Sequence, residues 1–408
     1  MLTMKPEESV TTLPTIPRSL LGVLIAATFA ISTSYGVLLL LPLYIVEIGG
    51  DEADYGLVTA AAAIPSAIAL GLLIRYSQRV KPHILLAGTS AVYAVAAAAL
   101  ATVDTVGPTL IVLGLILGTA WAAAYTTAPM VISDLVIDRV RAQAIGYVTG
   151  TIQVGFGIGP IIGGLIHRLG LSYPAVFLVG AGLAAVATAL VVPLSAQVRR
   201  FAPQAETTPD LAADDDSLTT TLWGIVRSPA LVPLAMVLLC ACLFTTMNSF
   251  QTTFADSRGL NYDIFYACYT VAVIAVRLGL SPLLSNSASD RVVRLSTMGI
   301  VVAVIGFLLV GSSPLLYATV SVLLGVTYGM ALPAVQARAV NFAEPEQRPK
   351  LLPLAGLLFE VAVLVFPLVA GFLIRLGSYR LLFAVLLVFS SAVALLGLRR
   401  STPAEARA

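Results

Sequence analysis

Apolar residues fill long, nearly uninterrupted runs in this chain, and polar residues gather in short clusters between them. Runs of about 20 residues, the length a helix needs to cross a bilayer, fall near 19–46, 55–75, 83–103, 108–134, 142–166 and 171–194. Six more follow near 230–254, 262–284, 292–311, 314–337, 351–374 and 379–398. Helix is expected for each, because a backbone N–H or C=O in hydrocarbon must find its partner within its own segment. The pattern predicts an all-α membrane protein with twelve transmembrane helices. The first run, from about Leu20, is too long for the apolar core of a signal peptide and lacks a small-residue cleavage site, so it counts as helix 1.

The polar clusters set the expected topology. With both termini in the cytoplasm, 18 lysines and arginines lie on that side, from Lys5 through Arg75, Arg141, Arg200 and Arg348 to Arg407. Only Arg168, Arg258, Arg375 and Arg380 lie on the other, a strong positive-inside bias. The first outer turn carries Glu47, Asp51, Glu52 and Asp54 and no basic residue, in agreement. A polar stretch from Ser195 to Thr221, with Arg199, Arg200 and Asp214–Asp216, reads as a cytoplasmic linker. It divides the chain into a first bundle over 1–194, a linker over 195–229 and a second bundle over 230–408. Within the linker, Trp223–Arg227 is either an amphipathic segment on the membrane surface or an ordinary loop.

The halves repeat one another. A shift of 207 residues lays Arg168-Leu169-Gly170 on Arg375-Leu376-Gly377, Arg141 on Arg348, Gly118 on Gly325 and Tyr55 on Tyr262. The same shift pairs Gln153, Pro160 and Gly164 with Glu360, Pro367 and Gly371. Six crossings per half and a cytoplasmic linker make this a parallel repeat about an axis along the membrane normal, a geometry in which two halves can rock about a central site.

Composition narrows the function. Only 11% of residues are charged and 58% are apolar, against about 25% charged in soluble proteins. The net charge of +2, with no basic run interleaved with aromatics, argues against a nucleic-acid partner. Cys240, Cys242 and Cys268 lie in apolar runs and read as small core residues, and His83 and His167 stand at opposite membrane edges without ligand spacing. Neither a metal nor another cofactor is expected. No Gly-Lys-Ser/Thr phosphate loop is present, so ATP drive within the chain is not expected either.

Ionisable groups deep in a membrane helix are costly and usually face a cavity. Arg277 in helix 8 and Glu360 in helix 11 are the two candidates. At ~1.5 Å rise per residue they lie ~11 and ~14 Å from the cytoplasmic ends of their runs. They are expected to meet at the cavity wall of the second half, with Glu360 titrating and Arg277 its partner. The plainer reading is a static buried pair or an Arg277 that snorkels.

Glycines 146, 155, 159, 163 and 164, with Pro160, follow the spacing glycine, eight residues, glycine, three residues, Gly-Pro, two residues, glycine. Gly155, Gly159 and Gly163 recur every four residues, so one face of helix 5 lets another helix approach closely while Pro160 bends it. In this stretch, and in Leu41-Pro42-Leu43-Tyr44 through Gly49 to Tyr55-Gly56-Leu57, the chain resembles the major facilitator superfamily, and helix 5 resembles the motif of its drug:proton antiporters. Two positions depart from that pattern. Arg75 stands where the loop after helix 2 normally has an aspartate, and Gly114 stands four residues before Gly118 where the antiporters have arginine. The family's gating contact and proton relay are therefore not carried over.

The resemblance implies a central cavity lined by helices 1, 4, 7 and 10. Trp121 and Tyr125 share a face of helix 4 with Gly114 and Gly118, and Tyr328 holds the same phase in helix 10 with Ser321, Gly325 and Leu332. These three, with Tyr35 of helix 1 and Asn248 and Gln251 of helix 7, are the expected substrate contacts. Gln153, repeat mate of Glu360, is a further contact or an interhelical hydrogen bond. Aromatics on a cavity suit amphipathic or cationic ligands. The expectation is a monomeric, alternating-access secondary transporter of the cell membrane, lodged in the lipid bilayer and exporting a small amphipathic substrate in exchange for protons. Its alternatives are a uniporter or proton-coupled importer of a polar metabolite, with Arg277 and Glu360 binding substrate, and a non-transporting sensor or enzyme on a similar fold. An enzyme would need a nucleophile–base pair or metal cluster at one depth, and none is evident.

Overall fold

The computed structural model describes residues 18–75, 81–136, 138–201, 230–279, 289–341 and 348–398, and every regular element among them is helical. α1 runs from Arg18 to Val37, tightens through a 3-10 turn at Leu38–Leu40 and resumes as Leu41–Glu47. Pro42 starts that last piece, where its missing N–H breaks no helical bond. Gly49, at φ +89°, reverses the chain into α2 (Glu52–Ala60 and Ala63–Arg75). The carboxylate of Asp51 accepts from Ala53 N (2.9 Å) and Asp54 N (3.1 Å), while Asp54 accepts from Asp51 N (2.9 Å), a reciprocal cap. α3 (Pro82–Leu100) and α4 (Pro108–Leu135) each open on a proline, and α5 (Asp138–Arg168) and α6 (Tyr173–Phe201) complete the first half.

The second half comprises α7 (Leu231–Ser249 and Gln251–Asp256), α8 (Asp263–Gly279), α9 (Ser289–Leu309) and α10 (Pro314–Asn341). The last helical run, Arg348–Leu398, breaks at Gly377 (φ −148°) and Ser378 (φ 62°) into α11 (348–376) and α12 (379–398). Here the repeat is imperfect. Gly170 closes α5 at φ +91°, but its mate Gly377 has a negative φ (−148°, with ψ 21°) and the positive-φ position passes to Ser378, which has a Cβ to accommodate.

Ten of these helices are long and apolar enough to cross a membrane, counting Leu354–Leu398 once. α8, with 17 described residues, falls just short of that length. Large apolar side chains stand on the outer surface: Ile64, Val95, Leu315 and Leu376 are 72–78% exposed. Such a surface suits hydrocarbon and not water. α6 continues to Phe201, into the stretch expected as linker, and the rest of that stretch, including Trp223–Arg227, lies outside the described residues.

α1–α6 pack among themselves, as do α7–α12. The two sets meet along two seams, α2 against α11 and α5 against α8, with the last piece of α1 touching the last piece of α7. The seams are repeat mates, so the halves meet through corresponding helices. Close approach explains the glycines on these faces. A Cβ on Gly155 would lie 2.6 Å from Ser32 Cβ of α1, and one on Gly371 would lie 2.7 Å from Ala53 Cα of α2. The small-residue face of α5 thus packs on α1.

Candidate functional site

Between the halves lies a cavity lined by Tyr35 of α1, Trp121 and Tyr125 of α4, Gln153 and Phe156 of α5, and Phe244 and Asn248 of α7. Tyr269 and Arg277 of α8, Tyr328 of α10, and Phe359 and Glu360 of α11 complete it. Eight residues singled out in the sequence, Tyr35, Trp121, Tyr125, Gln153, Asn248, Arg277, Tyr328 and Glu360, therefore line one cavity. At the 207-residue offset the lining consists of mates: Trp121 with Tyr328, Tyr125 with Leu332, Ile152 with Phe359, Gln153 with Glu360, and Phe156 with Val363. The cavity therefore lies where corresponding faces of the two repeats oppose each other.

Gln251 does not join them. It follows Asn248 by three residues, which on a continuous helix would share a face, but α7 breaks at Phe250 (φ −111°, ψ 7°) and its phase resets. Gln251 turns into the core of the second half, where its Oε1 accepts from the Tyr317 hydroxyl (2.9 Å) and its Nε2 lies 3.2 Å from Met247 Sδ.

The walls are aromatic. Tyr35 stacks on Trp121 at 4.3 Å between centroids, Phe156 packs against both (5.0 and 5.2 Å), and Tyr125 lies 5.9 Å from Trp121. Across the cavity Phe244 stacks on Tyr328 and meets Phe359, each at 5.5 Å. Several polar groups are tied to backbone: Asn248 Nδ2 donates to Phe244 O (2.9 Å), and the Tyr328 hydroxyl donates to Cys240 O (3.2 Å). Three are not. Gln153 Nε2, Arg277 Nε and Glu360 Oε1 are buried with no hydrogen-bond partner.

Arg277 and Glu360 face the same cavity without forming an ion pair, contrary to the expected meeting on one wall. The packing explains this. α8 lies against α5 and α10, whereas α11 lies against α2 and α7, so their side chains reach the cavity from different flanks. Similar depth along two helices does not make them neighbours.

At the end where α1 turns into α2, the halves are tied together. Arg375 Nε of α11 donates to Asp51 Oδ2 (2.5 Å), and Arg168 Nη2 of α5 donates to Asp263 Oδ2 of α8 (2.5 Å). Arg168 and Arg375 are repeat mates, and each reaches a carboxylate of the opposite half, although the two acids do not correspond at that offset. The Tyr379 hydroxyl lies within hydrogen-bond distance of Glu52 Oε1 (3.0 Å) and Thr253 Oγ1 (2.6 Å), and the Thr252 hydroxyl donates to Leu39 O across the halves (3.3 Å). Towards the opposite end the cavity continues as a recess between Leu70, Tyr125 and Thr126 of the first half and Leu332, Gln336, Gly356 and Glu360 of the second.

Reading the sequence missed Phe156, Phe244, Tyr269 and Phe359. Helical spacing held the signal: Phe156 follows Gln153 by three residues, Asn248 follows Phe244 by four, and Arg277 follows Tyr269 by eight. The ion pairs between the halves were missed too, although the mated arginines 168 and 375 and the acids at the starts of α2 and α8 were visible.

Solved structures resemble this fold along almost the entire chain. The nucleoside transporter NupG aligns with a TM-score of 0.69 and 18% identity, over 93% of this chain and 97% of its own. The human organic anion transporter MFSD10 (TETRAN) gives a TM-score of 0.65 and 14% identity, over 94% and 100%. A bacterial homologue of the human lysosomal transporter Spinster, inward-facing and occupied, gives 0.65 and 13%, over 93% and 95%. No curated protein matches the sequence. The family model of the Major Facilitator Superfamily matches residues 23–313 and 279–408, and the chain, a multi-pass integral membrane transporter, belongs to that superfamily.

Proposed function

We propose that this chain is a secondary active transporter of twelve transmembrane helices with both termini cytoplasmic, exporting a small amphipathic molecule across the cell membrane in exchange for protons. The observation that carries the reading is the cavity itself: stacked aromatics from both repeats surround the unpartnered Gln153 Nε2, Arg277 Nε and Glu360 Oε1. Buried polar groups are normally hydrogen-bonded, so these three are offered to a ligand or to water. The rings favour a flat or cationic apolar body, and the carboxyl favours a donor or a proton. The bias of basic residues supports assigning the ion-paired end to the outside, which makes this conformation inward-facing. The similarity to structures of nucleoside and organic anion transporters supports a small-molecule substrate.

The lack of an Arg277–Glu360 pair favours one other reading, a uniporter or proton-coupled importer of a polar metabolite that binds both charges. Flux into proteoliposomes under an imposed pH gradient separates the two, after thermal shift has identified a ligand by its mass-action stabilisation. Under the export reading, lipophilic cations stabilise the protein and their uptake into vesicles is driven by an inside-acid gradient. Stabilisation by polar zwitterions alone, lost in Arg277→Ala, would replace it with the second reading.

Alternating access also predicts what the ion pairs do. They are partly exposed, so each contributes only about 0.5–1 kcal/mol to the closed outer end. Arg168→Ala with Arg375→Ala is expected to move the equilibrium towards the outward-open state by about 5–30-fold. Labelling of a cysteine placed at Tyr379 reads that shift from the outside. Unchanged labelling in the double variant would deny the pairs a gating role.

A further inference from the structure

On the outer face of the first half, α2, α3 and α4 enclose a second concavity, separate from the central cavity. Ala69, Gly88, Val92, Ile116 and Ala120 line it, and Lys81 stands exposed at one end. The Thr89 and Thr119 hydroxyls on its walls donate to carbonyls of their own helices, Leu85 O (2.9 Å) and Leu115 O (2.7 Å), so the groove offers no free polar side chain along its length. Val92 and Ile84 are 49% and 53% exposed, which opens it to the hydrocarbon side.

Its shape comes from small residues. A Cβ on Gly88 would meet nothing within 4 Å. At the 207-residue offset Gly88, Ala120 and Ala123 become Leu295, Thr327 and Met330, so the second half fills the corresponding surface with larger side chains. From Lys81 to Val92 is 11 residues of chain, ~16 Å along a helix, or about half of a ~30 Å hydrocarbon core. One end is positive, because Lys81 is the charged residue among those that line the groove.

We infer that this groove holds one anionic phospholipid, with an acyl chain along α3 and its phosphate at Lys81. A monolayer-deep apolar slot ending in a cation matches that molecule at both ends, whereas a free phosphate would use only Lys81. Assigning the lipid to the cytoplasmic leaflet rests on the topology proposed above; binding in detergent does not. The groove backs onto α4, whose other face carries Trp121 and Tyr125, so the lipid braces the helix that supplies the cavity with aromatics.

Native mass spectrometry of the full chain in detergent, with phosphatidylglycerol or phosphatidylcholine added at equal concentration, tests the inference. The wild type is expected to retain one phosphatidylglycerol in preference to phosphatidylcholine. Lys81→Gln should reduce that preference by about fivefold, the factor of one lysine near an anionic lipid surface. Gly88→Phe, directed into the open space above Gly88, should abolish retention of both lipids, and Gly88→Leu serves if the phenylalanine variant fails to fold. Inorganic phosphate should not compete. Equal retention of the two lipids by the wild type, or phosphatidylglycerol retention unchanged by filling the groove, would overturn the inference.

Discussion

Glu360→Gln is expected to lower pH-gradient-driven accumulation by about a hundredfold while leaving substrate counterflow within about twofold. The carboxyl lies in the cavity of α11 with Oε1 buried and unpartnered, and Arg277 does not neutralise it. When the recess beside Gln336 and Gly356 closes, a bare carboxylate would be sealed from water. On the least severe scale a charge at the centre of a membrane helix costs about 3 kcal/mol, a factor of about a hundred in the population of the closed state. Under the export reading, closure requires that the Glu360 charge be neutralised, by its own proton or by a cationic substrate held on the aromatic walls, and this exclusion would link the two fluxes. Glutamine keeps the size and a carbonyl but carries no charge, so the variant closes whether or not a proton is available. Counterflow of labelled against unlabelled substrate needs no proton and reports intact binding. If Glu360→Gln still accumulates substrate against its gradient at the wild-type rate, coupling lies elsewhere. If counterflow collapses as well, Glu360 is a substrate ligand and the importer reading gains.

The sequence was most informative where hydrocarbon imposes a single solution. Runs such as 83–103 and 108–134 became α3 and α4 almost as drawn, because no strand or loop can satisfy its backbone in lipid. The repeat was equally legible, and through it so was the shared cavity of Trp121, Tyr328, Gln153 and Glu360. What escaped was whatever depends on helix phase after a break, or on which helix neighbours which. Gln251 lost its place to a one-residue interruption at Phe250. The Arg277–Glu360 pair was inferred from depth, but depth is only one of three coordinates, and α8 and α11 pack against different helices. The ion pairs Asp51–Arg375 and Asp263–Arg168 join residues 324 and 95 positions apart, and only the packing of the two halves brings them together.

The glycines of α5 looked alike in sequence, and their surroundings predict opposite outcomes for the same substitution. A Cβ on Gly159 would overlap the backbone of Gly36 and lie 2.5 Å from Val37 N on α1, and backbone cannot move aside as a side chain can. Overpacking commonly costs 1–3 kcal/mol, and contact with backbone puts Gly159→Ala at about 3 kcal/mol or more, since α1 must separate from α5 along its length. A Cβ on Gly146 would meet nothing within 4 Å. Gly146→Ala should instead stabilise this conformation by up to about 1 kcal/mol through helix propensity. Gly157 differs again. It faces Thr270 of α8, across the seam between the halves, so alanine there is expected to spare the fold and disfavour only the closed outer end. Melting temperatures in detergent rank the three directly: Gly159→Ala well below wild type, Gly157→Ala near it, Gly146→Ala at or above it. Outside labelling then separates the middle case, because only Gly157→Ala should expose the outer end while remaining folded. A Gly159→Ala variant as stable as wild type would mean that α1 and α5 are not in backbone contact, and the reading of this motif as a packing seam would fail with it.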